Sequence, residues 1–345
     1  MTFHIQLQPS GRVFAAEKNE TLLEAALRSG IALKYSCNTG ACGECAGKVV
    51  TGEVRETQHH DFMFSDAQRA QRYALLCSCA AVSDMVIEVN EVGGAEDIPL
   101  QQIATRVERL ERVQEDTMIL HLRTPRSQTL YFLAGQHISL AIEGLPARNK
   151  SLASCPCNAM NLQIHIRRVP GDVFSEYVFN QLAPSQTVMI EGPWGKFTLD
   201  EASKRPILFI AYETGFAPVK SIIEHTFALE AEQPIHLYWM VRQPGGHYLQ
   251  NLCRSWLDAL DNFKFTPLFG DHRTDGRSWE AAADPERDVQ DMEKLGAAII
   301  ADYPDLSGLD VYLTAPDSGV GRIVQILQQQ GLPQQQLHLD LMRRF

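Results

Sequence analysis

Apolar and polar residues alternate over 3–7 and again over 11–15, on either side of Ser10-Gly11, which is the period-two pattern of a two-stranded hairpin. The period then lengthens. Thr21 and Glu24 form a capping box, Leu22, Leu23, Ala26 and Leu27 share one helical face, and Gly30 stands where a helix C-cap favours a left-handed residue. Residues 47–54 read as a strand pair turning at Thr51-Gly52, and 84–89 as a closing strand. Together these elements predict an α+β unit of about ninety residues, near the lower end for a domain.

The stretch 92–97 is small and polar, the composition of a linker. Beyond it, short alternating segments at 104–112, 117–122, 137–142, 162–168 and 187–190 predict an antiparallel barrel or sandwich, interrupted by one helix at 175–182. From Arg205 strand and helix alternate: apolar 206–211, helical 217–231, a strand at 235–241, a helix at 248–260, then a strand at 309–313 and a helix at 320–330. That rhythm predicts a parallel sheet with helices on both faces. The Gln-rich 328–336 segment, broken by Gly331 and Pro333, reads as a helix end plus a turn. The expected units are 1–95, 96–201 and 202–345, a multidomain α+β and α/β chain.

With 345 residues, 45% of them hydrophobic, the chain is too long for one core. Its 31 Lys and Arg against 42 Asp and Glu give a formal charge of -11, which argues against nucleic acid or an anionic membrane as the main partner. No apolar run approaches the roughly 18 residues of a membrane span, and the first residues lack a signal-peptide pattern, so a cytoplasmic protein is expected. Eight cysteines change the picture most. In a reducing compartment they are poor disulfide candidates, and a tight group among them points to metal or redox chemistry.

Cys37, Cys42, Cys45 and Cys77 lie in a C-x4-C-x2-C…C spacing, the arrangement that holds a plant-type [2Fe-2S] cluster. Gly40, Ala41 and Gly43 let the backbone wrap closely and aim N–H groups at negatively charged sulfur, and Leu75 and Leu76 supply an apolar lid. Zinc is the competing ion, but it favours two C-x2-C knuckles and only one is present; buried free thiols are the bland alternative. Cys79, two residues past the fourth candidate ligand, reads as a packed thiol.

On these cysteines the chain resembles plant-type ferredoxins fused to a ferredoxin-NADP reductase-like module, as in oxygenase reductase components and CDP-6-deoxyhexose reductases. The resemblance implies a β-grasp ferredoxin domain, an antiparallel β-barrel that binds FAD and a doubly wound nucleotide domain. In that family an Arg-x-Tyr-Ser motif meets FAD; here it matches Arg148-Asn149-Lys150-Ser151, preceded by Gly135-Gln136. Lys150 replaces the Tyr, exchanging a stacking surface worth about 1 kcal/mol for a cation that could stabilise an anionic reduced flavin. The stretch from Arg167 through Gly171 and Asp172 to Ser175 resembles the second FAD segment, with Ser175 as helix cap and ligand, and 192–197 resembles the Gly-Pro-x-Gly-x-Phe close of the flavin domain.

For NAD(P)H the matching turn is Thr214-Gly215-Phe216-Ala217-Pro218, where Tyr212 and Glu213 stand in place of the family's glycines. Thr314-Ala315 replaces Cys-Gly at the end of a later strand, Arg242 matches a nucleotide-side Arg, and the terminal Phe345 matches an aromatic that covers the flavin. The expected function is electron transfer from NAD(P)H through FAD and the cluster to a protein acceptor such as an oxygenase, a deoxysugar pathway being the other use of the same parts. The alternative is an iron-sulfur carrier or docking subunit that has lost nicotinamide, or flavin, use. Residues 1–95 carry 11 acidic and 8 basic side chains, a net of -3, mild enough for a ferredoxin whose first partner is covalently attached.

Overall fold

A computed structural model of the chain describes residues 2–158, 160–270 and 284–342. Each of its three units follows from the periodicity of its segment. The first contains β1 (Thr2–Gln8), β2 (Val13–Glu17), α1 (Leu22–Arg28), β3 (Ala46–Thr51), β4 (Val54–Glu56), α2 (Asp66–Ala70), β5 (Tyr73–Leu75), β6 (Cys79–Ala81) and β7 (Met85–Glu88). A five-stranded sheet runs β2-β1-β7-β3-β5, with β1 parallel to β7, and α1 packs its buried Leu22, Leu23, Ala25 and Ala26 into the same core. The Thr21–Glu24 capping box is formed, and Gly30 follows the helix at φ +71. The turn at Thr51-Gly52 is present, yet its flanking strands do not form the expected pair: β3 joins β5 and β7, and β4 joins β6 in a separate ribbon. Non-local pairing wins here because β7 offers Ile87 and the buried Met85 to the core, which a local hairpin would leave uncovered.

The second unit holds β8 (Gln101–Arg112), β9 (Thr117–Arg123), β10 (His137–Ala141), β11 (Arg148–Ser151), β12 (Asn161–Arg167), α3 (Val173–Asn180) and β13 (Thr187–Trp194). The antiparallel order is β11-β10-β13-β8-β9-β12, and a bridge between Leu152 and Ile164 brings the two edges together, as a barrel requires. The third unit is β14 (Ile207–Tyr212), α4 (Phe216–Ala228), β15 (Ile235–Val241), α5 (Gln250–Ala259), β16 (Phe263–Phe269), α6 (Pro285–Asp302), β17 (Asp310–Pro316), α7 (Asp317–Gln329) and β18 (Leu337–Met342). Its sheet is wholly parallel in the order β16-β15-β14-β17-β18, with every residue of β14, β15 and β17 buried. Such an order places a ligand crevice at the carboxyl ends of β14 and β17, where the chain reverses its direction of winding.

The units are in contact. Arg12 of the first reaches Glu201 at 3.1 Å, the Tyr35 and Tyr131 rings lie 5.2 Å apart, and Gly30 meets Leu229. No helix among the described residues is long and apolar enough to cross a membrane.

Candidate functional site

The cysteine loop between α1 and β3 brings Cys37, Cys42 and Cys45 towards Cys77, which lies in the turn between β5 and β6. Cys37 and Cys42 Sγ are 3.1 Å apart, and all but Cys42 are buried. Burial opposes ionisation of Cys37, but the Cys42 thiol and the N–H groups of Cys42, Thr39 and Ala41 bring it down to about 7. The Cys45 thiol, chiefly, brings Cys77 down to about 6 against burial, helped by the Ser78 hydroxyl and the Gly40 N–H. Four converging sulfurs under backbone N–H donors are the chemistry a [2Fe-2S] cluster requires.

The loop leaves no room for side chains. Gly43 sits at φ +79, where a Cβ would lie 2.1 Å from Phe62 Cε2; Gly40 sits at φ +74, where a Cβ would lie 2.4 Å from His60 Cβ. Leu75 and Leu76 are fully covered core residues, and Cys79 is buried on β6 opposite Glu56, its thiol pushed up to about 11 by burial and by the charges of Glu56 and Cys77. Two sides of the loop differ. Asn38 N–H donates to Arg126 O of the barrel unit at 3.1 Å, while Ala41 and Glu44 face solvent.

The Arg148-Asn149-Lys150-Ser151 segment is the edge strand β11, an element that its polar composition hides. Arg148 Nη2 donates to Asp172 Oδ1 at 2.9 Å. Asp172, and not Ser175, caps α3: its Oδ2 accepts from the Ser175 N–H at 2.9 Å, while the Ser175 hydroxyl is turned inward to Val169. A carboxylate outranks a hydroxyl here because it complements both the helix dipole and Arg148. Gly171 has φ +80 with open space where a Cβ would stand. A half-buried guanidinium, an open glycine turn and a helix N-terminus form a cradle that fits the pyrophosphate of FAD. Lys150 Nζ lies 5.8 Å from the Phe174 ring centre, and burial brings its ammonium down to about 8 against the pull of Asp172. Ser151 Oγ donates to Asp340 Oδ2 of β18 at 3.3 Å. Burial raises Asp340 to about 6. Asp340 escapes a sequence reading because it stands 189 residues from Ser151; the alternation of Leu337, Leu339 and Leu341 is the signal that puts His338 and Asp340 on one strand face.

At the nucleotide crevice, Thr214 and Gly215 form the turn into α4, and a Cβ on Gly215 would meet Thr314 Oγ1 at 2.4 Å. Thr314 is buried on β17, its hydroxyl 3.4 Å from both Tyr212 N and Ile210 O, so it fastens strand to turn. Glu213, at φ +50, receives Arg167 Nη1 on one oxygen and the Arg242 N–H on the other, both at 2.5 Å. Arg167 therefore does not stand free beside the flavin cradle; Asp116 and Glu213 hold it. The Tyr212 hydroxyl lies 3.1 Å from Asp288 and 3.0 Å from Asp291, and Arg242 binds both Tyr212 and Asp288. These acids belong to α6, an element absent from the sequence reading, and Phe345 lies outside the described residues.

A four-cysteine loop on a ferredoxin fold, a flavin-type barrel and a parallel nucleotide sheet define an iron-sulfur flavoprotein oxidoreductase. Residues 5–82 match the family model for the 2Fe-2S iron-sulfur cluster binding domain, and residues 104–199 that for the oxidoreductase FAD-binding domain. The CDP-6-deoxy-L-threo-D-glycero-4-hexulose-3-dehydrase reductase of Yersinia pseudotuberculosis is 34% identical over 313 residues, 90% of either chain. Reductase component 1 of the terephthalate 1,2-dioxygenase of Comamonas is 30% identical, over 79% of this chain and 80% of that one. Among solved structures, the Amycolatopsis cytochrome P450 reductase GcoB superposes with a TM-score of 0.61 at 27% identity, over 99% of this chain and 98% of that one. The chain belongs to this family of [2Fe-2S] and FAD reductases, which use NAD(P)H and pass electrons to a protein partner. Nothing favours the degenerate carrier.

Proposed function

We propose that the acceptor is a separate oxygenase component that docks on the solvent side of the cysteine loop. The carrying observation is the two-sidedness of that loop, bonded to the barrel through Asn38 and Arg126 yet open at Ala41 and Glu44. Electrons that enter from the barrel side leave at the exposed side without crossing the protein again. Bound FAD supplies the conversion between two-electron nicotinamide chemistry and one-electron cluster chemistry.

The chain's own residues prepare that conversion. Cys37, Cys42, Cys45 and Cys77 hold the cluster; Arg148, Gly171 and the first turn of α3, ordered by Asp172, hold the FAD pyrophosphate. Lys150 places a cation beside this cradle, and the Ser151–Asp340 pair can hold a proton at the interface of barrel and nucleotide unit. The NAD(P)H phosphates go to the Thr214-Gly215 turn, where the Arg167–Glu213 pair must part to admit them. NAD(P)H is regenerated in the cytoplasm, the location this function requires.

The test is reconstitution. Anaerobically purified protein should be bleached by NADH or NADPH and then support turnover of an oxygenase component. Bleaching by dithionite but by neither nucleotide would overturn the electron route. Turnover with a sugar-nucleotide dehydrase and with no oxygenase would overturn the acceptor alone.

A further inference from the structure

Cys155 and Cys157 flank Pro156 in a short 3-10 turn over Pro156–Asn158, just past β11, and are joined as a disulfide, contrary to what a reducing compartment leads one to expect. The turn packs against both α1 and α4, so it lies where all three units meet. His225 of α4 is there too. One of its ring nitrogens lies within 4.8 Å of both sulfurs. Its Nε2 is engaged with Glu201 Oε1 at 3.1 Å, and Glu201 is itself held by Arg12 at 3.1 Å. Nδ1 is buried and has no hydrogen-bond partner among the described residues, although the residue is only 4% exposed.

A buried imidazole nitrogen without a partner carries a desolvation cost unless something occupies it. With Nε2–H donating to the Glu201 carboxylate, the lone pair is fixed on Nδ1, the nitrogen that is left over. A carboxylate that orients a histidine so that its other nitrogen can bind metal is a recurrent arrangement around zinc. Two thiolates and one neutral imidazole form a soft donor set that suits zinc better than magnesium or calcium, with a fourth position for water.

We propose that the reduced Cys155–Cys157 pair and His225 form a zinc site that fastens the turn after β11 to α4, apart from the cluster. A dithiol reductant opens the site: two electrons and two protons convert the disulfide to two thiols while the reductant becomes a disulfide. Zinc then replaces the two thiol protons, which pass to solvent. The site is thus closed to metal when oxidised and open when reduced. It ties nucleotide unit to barrel only in the second state.

The experiment uses the holoprotein under anaerobic conditions, zinc as the probe and iron as the internal standard. Protein treated with a dithiol and desalted should take up one zinc per chain, retain its two irons and release protons; protein first oxidised to the Cys155–Cys157 disulfide should take up none. His225→Phe and the Cys155→Ser/Cys157→Ser double variant should lose this zinc while keeping iron and FAD, and Cys253→Ser should keep it. Equal zinc uptake before and after reduction of the unaltered protein overturns the proposal without recourse to any variant. So does no uptake in either state, or full uptake by the double variant.

Discussion

Arg167 Nη1 and Glu213 Oε2 stand 2.5 Å apart, an ion pair that runs from the last residue of β12 in the barrel to the turn after β14 in the nucleotide unit. The other oxygen of Glu213 takes the Arg242 N–H. A side-chain carboxylate therefore stands beside the turn into α4, held by Arg167 and by the backbone at the end of β15. A carboxylate about 5 Å from a phosphate charge costs at most about 3 kcal/mol at an effective dielectric of 20.

Glu213→Gly removes both the charge and the backbone strain, since residue 213 has φ +50. KM for NAD(P)H is expected to fall by roughly ten- to a hundredfold, with kcat changed far less. Glu213→Gln separates the two causes, because it removes the charge and keeps the strain. If steady-state kinetics give an unaltered KM for both variants, the carboxylate does not obstruct the nucleotide.

Gly43 provides a test of the cluster loop that leaves every cysteine in place. A Cβ there would stand 2.1 Å from Phe62 Cε2 and adopt φ +79, which a side chain resists by about 1–2 kcal/mol before the clash is counted. Gly43→Ala should lose most of its iron and acid-labile sulfide. Adding Phe62→Ala relieves the contact but not the dihedral, so partial recovery is expected. Normal iron content in Gly43→Ala would show that the loop is looser than its contacts imply.

Lys150 predicts a pH effect on the flavin. Burial brings it down to about 8, so its ammonium is present below that pH and is lost above it. A cation beside a reduced, anionic flavin favours reduction. The FAD midpoint of the unaltered protein should therefore fall more steeply between about pH 7 and 9 than that of Lys150→Met, and Lys150→Arg should show no inflection. Parallel slopes in potentiometric titrations of all three would separate Lys150 from the flavin.

The cysteine spacing, the capping box at Thr21 and the continuous apolar runs of β14 and β15 were legible because each depends on neighbours in sequence. What stayed hidden depends on distant partners. The Thr51-Gly52 turn was visible, but nothing local says that β3 prefers β7 to β4. Strand β16 carries Lys264, Thr266 and Pro267 in a seven-residue run, and as an edge strand it needs only one good face. Helix α6 begins with Asp284 capping before Pro285, a start signal that its polar composition obscures. The same holds within the site. Arg148, Ser151, Thr214 and Gly215 are candidates that motifs alone propose, whereas Asp340, Asp116 and the His225–Cys155–Cys157 group are assembled only by folding.

Asp340 joins stability to the proton at Ser151. Burial raises its carboxyl from 3.8 to about 6, the Ser151 hydroxyl offsetting part of the rise. Between about pH 4 and 6 the folded chain therefore keeps a proton that the unfolded chain has released. The stability that this group contributes is fully present below about pH 4 and is lost as pH rises through about 6. Asp340→Asn stays neutral throughout, so its Tm should match that of the unaltered protein in acid and exceed it near neutrality. Ser151→Ala removes the bond that favours the ionised form, and should shift the Asp340 transition to higher pH. Superimposable Tm profiles for Asp340→Asn and the unaltered protein would mean that this carboxyl titrates as it does in water, and that the Ser151–Asp340 pair holds no proton between about pH 4 and 6.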